Sequence, residues 1–270
     1  MLKIFNATQT LKGFNQDLKY TLDKSEADLM ILGGKAIDLN EFPKLKGIFK
    51  TGVGTDNLPF EEAKKRGVAI QLPNEETKEI IYHETASFAL QLILKFVYSD
   101  TGNFTTWQKN NRKSLMDYQV LVMGTGKIGS RLVDRLSPLC KVLTYDPLDN
   151  TEQELDHFLQ KADIVSLHMP LLPKTKHFFD QKKLSLLKNN TLLVNTSRGH
   201  IIDEEALYNE LNSGRITAAI DVFSEEPYYG KLTKIDPKNI YLSPHVASTC
   251  KGFLAGLAKD FLNFHSYFDK

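Results

Sequence analysis

Three ionisable side chains in the second half of the chain each follow a short apolar run. They are Arg198 in VNTSRGHIIDEEAL, Glu226 in DVFSEEP and His245 in YLSPHVAST. An arginine offers a planar fork of donors that matches a carboxylate. A histidine can give or take a proton near neutral pH, and a glutamate beside it favours the charged ring and fixes its tautomer. Taken singly, each has a plainer reading: a surface arginine, a solvated Glu-Glu-Pro loop, a hydrogen-bonded structural histidine. Together, beyond successive strand ends, they form a coherent set for gripping a carboxylate and moving a proton.

Upstream of this set, the segment 119–147 reads QVLVMGTGKIGSRLVDRLSPLCKVLTYDP. An apolar strand runs into Gly124-Thr-Gly126-Lys-Ile-Gly129, an amphipathic helix follows, and a second apolar strand ends on Asp146. Gly124 permits the tight turn, Gly126 lets backbone approach a pyrophosphate, and Gly129 allows helix to pack closely on strand. Lys127 and Ile128 open the helix, whose free amides and positive dipole end favour phosphate. Asp146 lies 17 residues past Gly129, near the spacing of a carboxylate that bonds ribose hydroxyls. A carboxylate there repels a 2′-phosphate and Pro147, Leu148 and Asp149 follow it, so NAD is favoured over NADP.

These residues need a scaffold, and the pattern supplies one. Strands are expected at 3–6, 29–32, 47–50, 68–71, 164–167, 191–195, 218–222 and 240–242, alternating with helical patterns in the manner of a parallel α/β protein. Helices are expected at 59–66, stopping at Gly67, and at 77–98, a long helix that crosses between domains. Others fall at 131–137, 152–160, 182–187, 204–212 (Asp203 as N-cap, Gly214 just beyond) and 250–265. The polar segment 99–118 reads as a connection, with Trp107 packed against another surface, a neighbouring subunit being one candidate. A six-stranded doubly wound domain at about 99–248 is thus inserted between an N-terminal α/β piece and a returning C-terminal helix.

Composition narrows the class. The 270 residues suffice for two modest domains, and 41% hydrophobic with 25% charged residues is ordinary for a globular chain. With 34 basic against 33 acidic residues and no block of one sign, neither nucleic acid nor a membrane surface is indicated as partner. Two cysteines, Cys140 and Cys250, are too few for a disulfide framework or a zinc site, and both read as buried thiols. No metal is expected. The N-terminus lacks the apolar core of a signal peptide and the most apolar stretch, 86–97, is too short to span a bilayer, so a cytoplasmic location is expected. Of the other histidines, His168 in SLHMP follows a strand where it could touch a cofactor's backbone. His83, beside Glu84 on the long helix, could line a cleft, and His157, His177, His200 and His265 have no supporting pattern.

With these motifs in view, the chain resembles the D-2-hydroxyacid dehydrogenases. The likeness runs from about Lys46 to about Cys250 through TGVGTDNLPFEEAKKRGVAI, VMGTGKIGSRL, SLHMPLLPKTKHFF, LLVNTSRGHIIDEEAL, AAIDVFSEEP and SPHVAS, in that order. It implies a doubly wound Rossmann-type parallel sheet domain (99–248, binding NAD) inserted into a smaller flavodoxin-like α/β substrate domain (1–98 plus 249–270). It also implies hydride transfer between a D-2-hydroxyacid and its 2-ketoacid, with His245 as acid/base, Glu226 its partner, and Arg198 on the substrate carboxylate. The backbone at Val53 and Gly54 would take that carboxylate from the substrate domain, Asp56 and Asn57 shaping the loop. Thr196 and His168 would join the cofactor's contacts, and Asp221 would meet the carboxamide of the nicotinamide. Small 2-hydroxy or 2-keto acids are the implied ligands and a homodimer the implied assembly. Relatives that act as NADH-sensing corepressors offer a second reading, a catalytically weak binding protein. A formate dehydrogenase fits less well, because Glu226 would be unwanted beside the histidine there. The short segment before Gly52 and the early end after the last helix imply a compact substrate domain without an appended regulatory domain. Lys78 and Tyr82 stand where relatives often carry smaller or neutral residues, and Leu172 where many carry threonine.

Overall fold

A computed structural model describes residues 1–15 and 17–269 and divides the chain into two compact units, Met1–Ile81 with Ser248–Lys270, and Tyr82–Ala247. In the smaller unit, strands β1 (Lys3–Asn6), β2 (Lys19–Tyr20), β3 (Leu29–Leu32), β4 (Gly47–Lys50) and β5 (Ala69–Gln71) form one parallel sheet. Its order, β2-β1-β3-β4-β5, is that of a flavodoxin-like sheet. Side chains alternate across a strand, so β3 serves two cores at once. Leu29 and Ile31 join Ile4 and Phe49 on one face, under Phe253, Leu257, Phe261 and Phe264 of the C-terminal helix. Met30 and Leu32 join Ile48 on the other, under Leu39, Phe42 and Ala63. Ala63 belongs to helix α1 (Phe60–Arg66), which ends at Gly67 in the left-handed region, φ 67°.

Helix α2 (Glu75–Val97) begins at Asn74, whose carboxamide oxygen accepts from Thr77 N–H. Its first turns pack Ile80 and Ile81 into the smaller unit, whereas Ala86, Ala89, Leu92, Ile93 and Val97 belong to a core of the larger one. The division therefore falls inside this helix at 81/82, not at 98/99, because its apolar face changes partner midway while its periodicity does not change. Beyond it, the segment 99–118 carries a small antiparallel hairpin, β6 (Gly102–Asn103) with β7 (Gln108–Lys109). Trp107 is not packed away: it is 74% exposed, meeting only the edge of the equally exposed Phe104 ring among described aromatic neighbours.

The larger unit is a six-stranded parallel sheet. Its elements in chain order are β8 (Gln119–Met123), α3 (Lys127–Leu136), β9 (Lys141–Tyr145), α4 (Glu152–Lys161) and β10 (Ile164–Leu167). They continue with α5 (Gln181–Ser185), β11 (Leu192–Asn195), α6 (Glu204–Asn212), β12 (Thr217–Ile220) and β13 (Ile240–Leu242). Val120 and Val122 face the core that holds Leu132 and Leu136 of α3, while Leu121 and Met123 face Leu155 and Leu159 of α4. The sheet is thus covered on both faces, as an all-parallel sheet requires. Helix α7 (Lys251–Phe268) completes the chain and belongs to the smaller unit.

Two further details concern the sequence reading. Helix α3 starts at Lys127, where the glycine turn is expected to open it, and so four residues ahead of the 131–137 range, because the turn passes straight into helical backbone. Cys140 and Cys250 are half-buried rather than buried: Cys140 Sγ donates toward Leu136 O, and Cys250 Sγ caps α7 by accepting from Phe253 N–H.

Candidate active site

Strand order β13-β12-β11-β10-β8-β9 reverses between β8 and β10, the crevice where open parallel sheets take ligands at their carboxyl ends. The register is level there: Met123 pairs with Leu167, Leu167 with Asn195, Asn195 with Ile220, and Ile220 with Leu242. Loops leaving this row carry, in spatial order, Gly124, His168, Thr196 with Arg198, Asp221, and His245. At about 4.8 Å between strands, the row from β8 to β13 spans roughly 19 Å.

The glycine turn fits a pyrophosphate by three separate observations. Gly124 sits at φ 90°, and a Cβ there would lie 2.8 Å from the backbone carbon of His168. A Cβ on Gly129 would lie 1.8 Å from the Gly124 carbonyl oxygen. On Gly126 it would meet nothing within 4 Å, and no N-cap side chain accepts from the first amides of α3, which leaves them open to an anion. Asp146 receives Thr125 N–H (3.1 Å) and the Thr125 hydroxyl (3.2 Å) on one oxygen and Leu148 N–H (3.1 Å) on the other. Burial works to raise its carboxyl, but those hydrogen bonds and the Lys174 charge hold it below the usual carboxylate range. Three of about four acceptor positions are filled, leaving room for one more donor.

Further along the row, His168 donates its backbone N–H to Met123 O, and its Nε2 lies 2.8 Å from Ser166 Oγ. Burial pushes the ring down to about 4, so it is neutral at physiological pH. Buried Asn195 folds the next loop, its amide donating to Arg198 O and its oxygen accepting from Ser197 N–H and Oγ. The hydroxyl of Thr196 in that loop is buried without a hydrogen-bond partner among the described residues. Such an orphan donor at a strand end suits a polar ligand that would satisfy it.

His245 and Glu226 meet directly. His245 Nδ1 is 2.9 Å and 3.1 Å from the two carboxylate oxygens, and Phe223 N–H donates to the same carboxylate at 3.1 Å. Burial tends to raise the Glu226 carboxyl, but the bond to His245, its charge, the Phe223 amide and the charge of Arg198 together lower it. Arg198 is thus within electrostatic reach of the pair, its Nη1 donating to Ser197 O. The loops stay close because Gly199 has no room for a Cβ, which would lie 2.0 Å from the Phe223 carbonyl carbon. His245 itself has φ 53°, an uncommon backbone state for a residue other than glycine.

What holds that strained residue is Asp221, fully buried just past β12. Its carboxylate accepts from Ser243 Oγ (2.6 Å), Val246 N–H (2.9 Å) and Ala247 N–H (3.0 Å), and its carbonyl accepts from His245 N–H (2.8 Å). Burial raises its carboxyl despite these bonds and the His245 charge. This bracing of the histidine loop, like the folding of the arginine loop by Asn195, escaped the sequence reading; an acidic or amide residue directly after an apolar strand is the only local signal. In the smaller unit, Val53 and Gly54 lie in the loop after β4, described below. Lys78 pairs with Glu75 (2.8 Å), Tyr82 lies under Arg131 (5.5 Å to the ring), and His83 Nδ1 sits 3.0 Å from Arg135. Among the described residues, no cluster of three or more His, Cys, Asp or Glu could hold a metal, and no helix is long and apolar enough to cross a membrane.

A doubly wound sheet with a glycine-rich βα turn and an acid-braced histidine at its carboxyl edge defines a dinucleotide-dependent oxidoreductase. The chain belongs to the D-isomer specific 2-hydroxyacid dehydrogenase family, whose NAD binding domain matches residues 89–247. Its cofactor is NAD, and its reaction class is the interconversion of 2-hydroxy and 2-keto acids. It is 33% identical over 247 residues to a glyoxylate reductase of Thermococcus litoralis, covering 82% of this chain and 73% of that one. It is 30% identical over 262 residues to the chloroplastic D-3-phosphoglycerate dehydrogenase 2 of Arabidopsis thaliana, 90% of this chain but 42% of that longer protein. A D-lactate dehydrogenase from Aquifex aeolicus, crystallised with NAD and lactic acid, shares the fold at TM-score 0.81 with 23% identity, covering 98% of this chain and 95% of that one.

Proposed function

We propose that this chain reduces a short 2-keto acid, of the glyoxylate and hydroxypyruvate kind, to the corresponding 2-hydroxy acid, the D isomer where that product is chiral, and can run the reverse reaction. The observation that carries the reading is the His245–Glu226 pair, with Arg198 in electrostatic reach of it. A bound nicotinamide ring supplies or accepts the hydride. With Nδ1 committed to Glu226, His245 has Nε2 to present to the reactant oxygen. In the reducing direction the imidazolium gives that proton to the carbonyl oxygen; in the oxidising direction the neutral ring removes the hydroxyl proton. Glu226 holds the ring's orientation through Nδ1. Arg198 grips the substrate carboxylate, and the backbone at Val53 and Gly54 binds carboxylate in the smaller unit. Gly124, Gly126, Gly129 and the amides of Lys127 and Ile128 hold the pyrophosphate, Asp146 the ribose hydroxyls, and Thr196, His168 and Asp221 the nicotinamide half.

The small-substrate choice follows the 33% identity to a glyoxylate reductase over most of this chain. A cytoplasmic homodimer belongs to the same reading, supported by the exposed aromatic pair Phe104 and Trp107 and by two unpaired cysteines. The test is NADH absorbance with glyoxylate, hydroxypyruvate, pyruvate and bulkier 2-keto acids. Turnover of a small member supports the reading; NADH binding without turnover of any member would instead assign a nucleotide sensor.

A further inference from the structure

A lysine at the end of an apolar strand ordinarily lets its ammonium reach water. Lys50, the last residue of β4, does not: it is only 4% exposed. Its ammonium donates to the carbonyl oxygen of Gly33 and, at 2.8 Å, to the carboxamide oxygen of Asn57. The Asn57 amide closes the figure by donating to the same Gly33 oxygen (2.9 Å) and to Lys35 O (2.7 Å). Thr51 adds two bonds to the neighbouring strand end, N–H at 2.9 Å and hydroxyl at 3.2 Å, both to Leu32 O. Gly33 in turn presses on the loop after β1, since a Cβ there would lie 2.7 Å from Thr8 Oγ1. Three loops at the carboxyl edge of this sheet are therefore tied together, and the buried ammonium is the knot. The tied loop 51–57 contains Gly52, Val53 and Gly54.

We propose that Lys50 is a positioning residue for substrate: it holds loop 51–57 in the shape that presents the 52–54 backbone to a carboxylate. The inference rests on the carboxylate-binding role proposed above for Val53 and Gly54. Burying an ammonium is costly unless donors and acceptors match closely, so its partners are held in one arrangement. Removing it leaves the Gly33 and Asn57 oxygens short of a donor and the loop free to take other shapes.

The test is Lys50→Met in the full chain, with glyoxylate as probe. KM for glyoxylate should rise about tenfold or more, kcat should change less than about threefold, and KM for NADH should stay within about twofold, the pattern of lost uniform binding. Glyoxylate KM within twofold of wild type would overturn the assignment, as would equal losses in kcat and in both KM values. Should the variant fold poorly, Asn57→Ala, which cuts the same knot from its half-exposed side, must raise glyoxylate KM alone; no rise overturns the proposal. Wild-type protein that reduces no 2-keto acid would instead refute the substrate reading. Lys50 would then be judged by amide hydrogen exchange over residues 51–57. Faster exchange in Lys50→Met keeps the clamp, and unchanged exchange removes it.

Discussion

Replacing His245 by asparagine separates its chemistry from its backbone strain. At φ 53° most side chains are strained, but asparagine is among the few that visit the left-handed region readily. The main-chain bond from His245 N–H to Asp221 O survives the change, as do the bonds from Val246 and Ala247 to the Asp221 carboxylate. Glu226 loses the ring but keeps Phe223 N–H, and at 33% side-chain exposure it can take water in the ring's place. A pair this exposed contributes about 1 kcal/mol at most. At about 2–4 °C per kcal/mol for a unit of this size, Tm should fall by no more than about 4 °C. Chemistry should respond quite differently, because general acid–base transfer contributes about 10²–10⁴-fold, or roughly 3–5 kcal/mol of barrier.

The assay pairs steady-state NADH oxidation with 2-keto acid against NADH affinity from fluorescence titration. His245→Asn should lose about 10²–10⁴ in kcat with NADH Kd within about twofold of wild type. His245→Ala, equally without a proton to give, should match it in rate yet be less stable by about 1–2 kcal/mol, because alanine pays the left-handed penalty. Rates within tenfold of wild type on every substrate the native enzyme reduces would refute the acid/base role. A Tm loss in His245→Asn as large as in His245→Ala would refute the strain argument.

Other perturbations probe the rest of the row. The Glu226 carboxyl is depressed below its ordinary 4.5, so its stabilising contribution is present above that value and lost as pH falls through the lower folded one. Urea denaturation should therefore show Glu226→Gln less stable than wild type at pH 6, by less than about 1 kcal/mol, with the gap closing toward pH 3; a gap that is constant with pH would refute this. Gly126→Ala should fold with native Tm, since nothing lies within 4 Å of the new methyl, yet weaken NADH binding by blocking the approach of phosphate. Gly129→Ala should lower Tm as well, because its methyl collides with the Gly124 carbonyl oxygen; identical behaviour of the two variants in a melt would contradict the geometry. Asp146→Ala should weaken NAD binding about 10–100-fold, the worth of a hydrogen bond to a charged acceptor, and narrow the preference over NADP. Unchanged cofactor preference would remove Asp146 from cofactor selection.

Much of this row is written in short-range rules. The turn at Gly124, Gly126 and Gly129 is legible because backbone geometry there excludes a Cβ at two positions, whatever the rest of the molecule does. Buried parallel strands such as Ile164–Leu167 and Leu192–Asn195 are legible as short, mainly apolar runs at the spacing of alternating strands and helices. Helix Glu204–Asn212 announces itself through Asp203, whose carboxylate accepts from Ala206 N–H. Other features depend on distant partners and leave no local trace. Strand Lys19–Tyr20 is two exposed residues that pair only because β1 lies beside them. The hairpin around Phe104 and Trp107 is polar on both arms, so no alternation marks it. Helix Glu75–Val97 keeps one periodicity although its apolar residues serve two cores, which hides the division at 81/82. Lys50 and Asp221 look like ordinary ends of strands, since what distinguishes them is burial against loops far along the chain.

Those two residues express one design in two different sheets. Each lies at the carboxyl end of a parallel strand, each is almost wholly buried, and each spends its hydrogen bonds on backbone and side chains of a loop proposed to meet substrate or cofactor. An apolar residue would be a cheaper way to fill either space, because a buried charge seldom adds net stability over a well-packed hydrophobic one. The direction at Asp221 makes the cost visible. Its carboxyl is raised by burial, so the contribution it makes to stability is full below the ordinary carboxylate range and is lost as pH rises through the folded value. Burial thus works against the charged form of the same group whose hydrogen bonds hold His245 in a left-handed backbone state. Stability spent at that point buys only the placement of an imidazole, which is intelligible if the imidazole works and hard to account for if it does not.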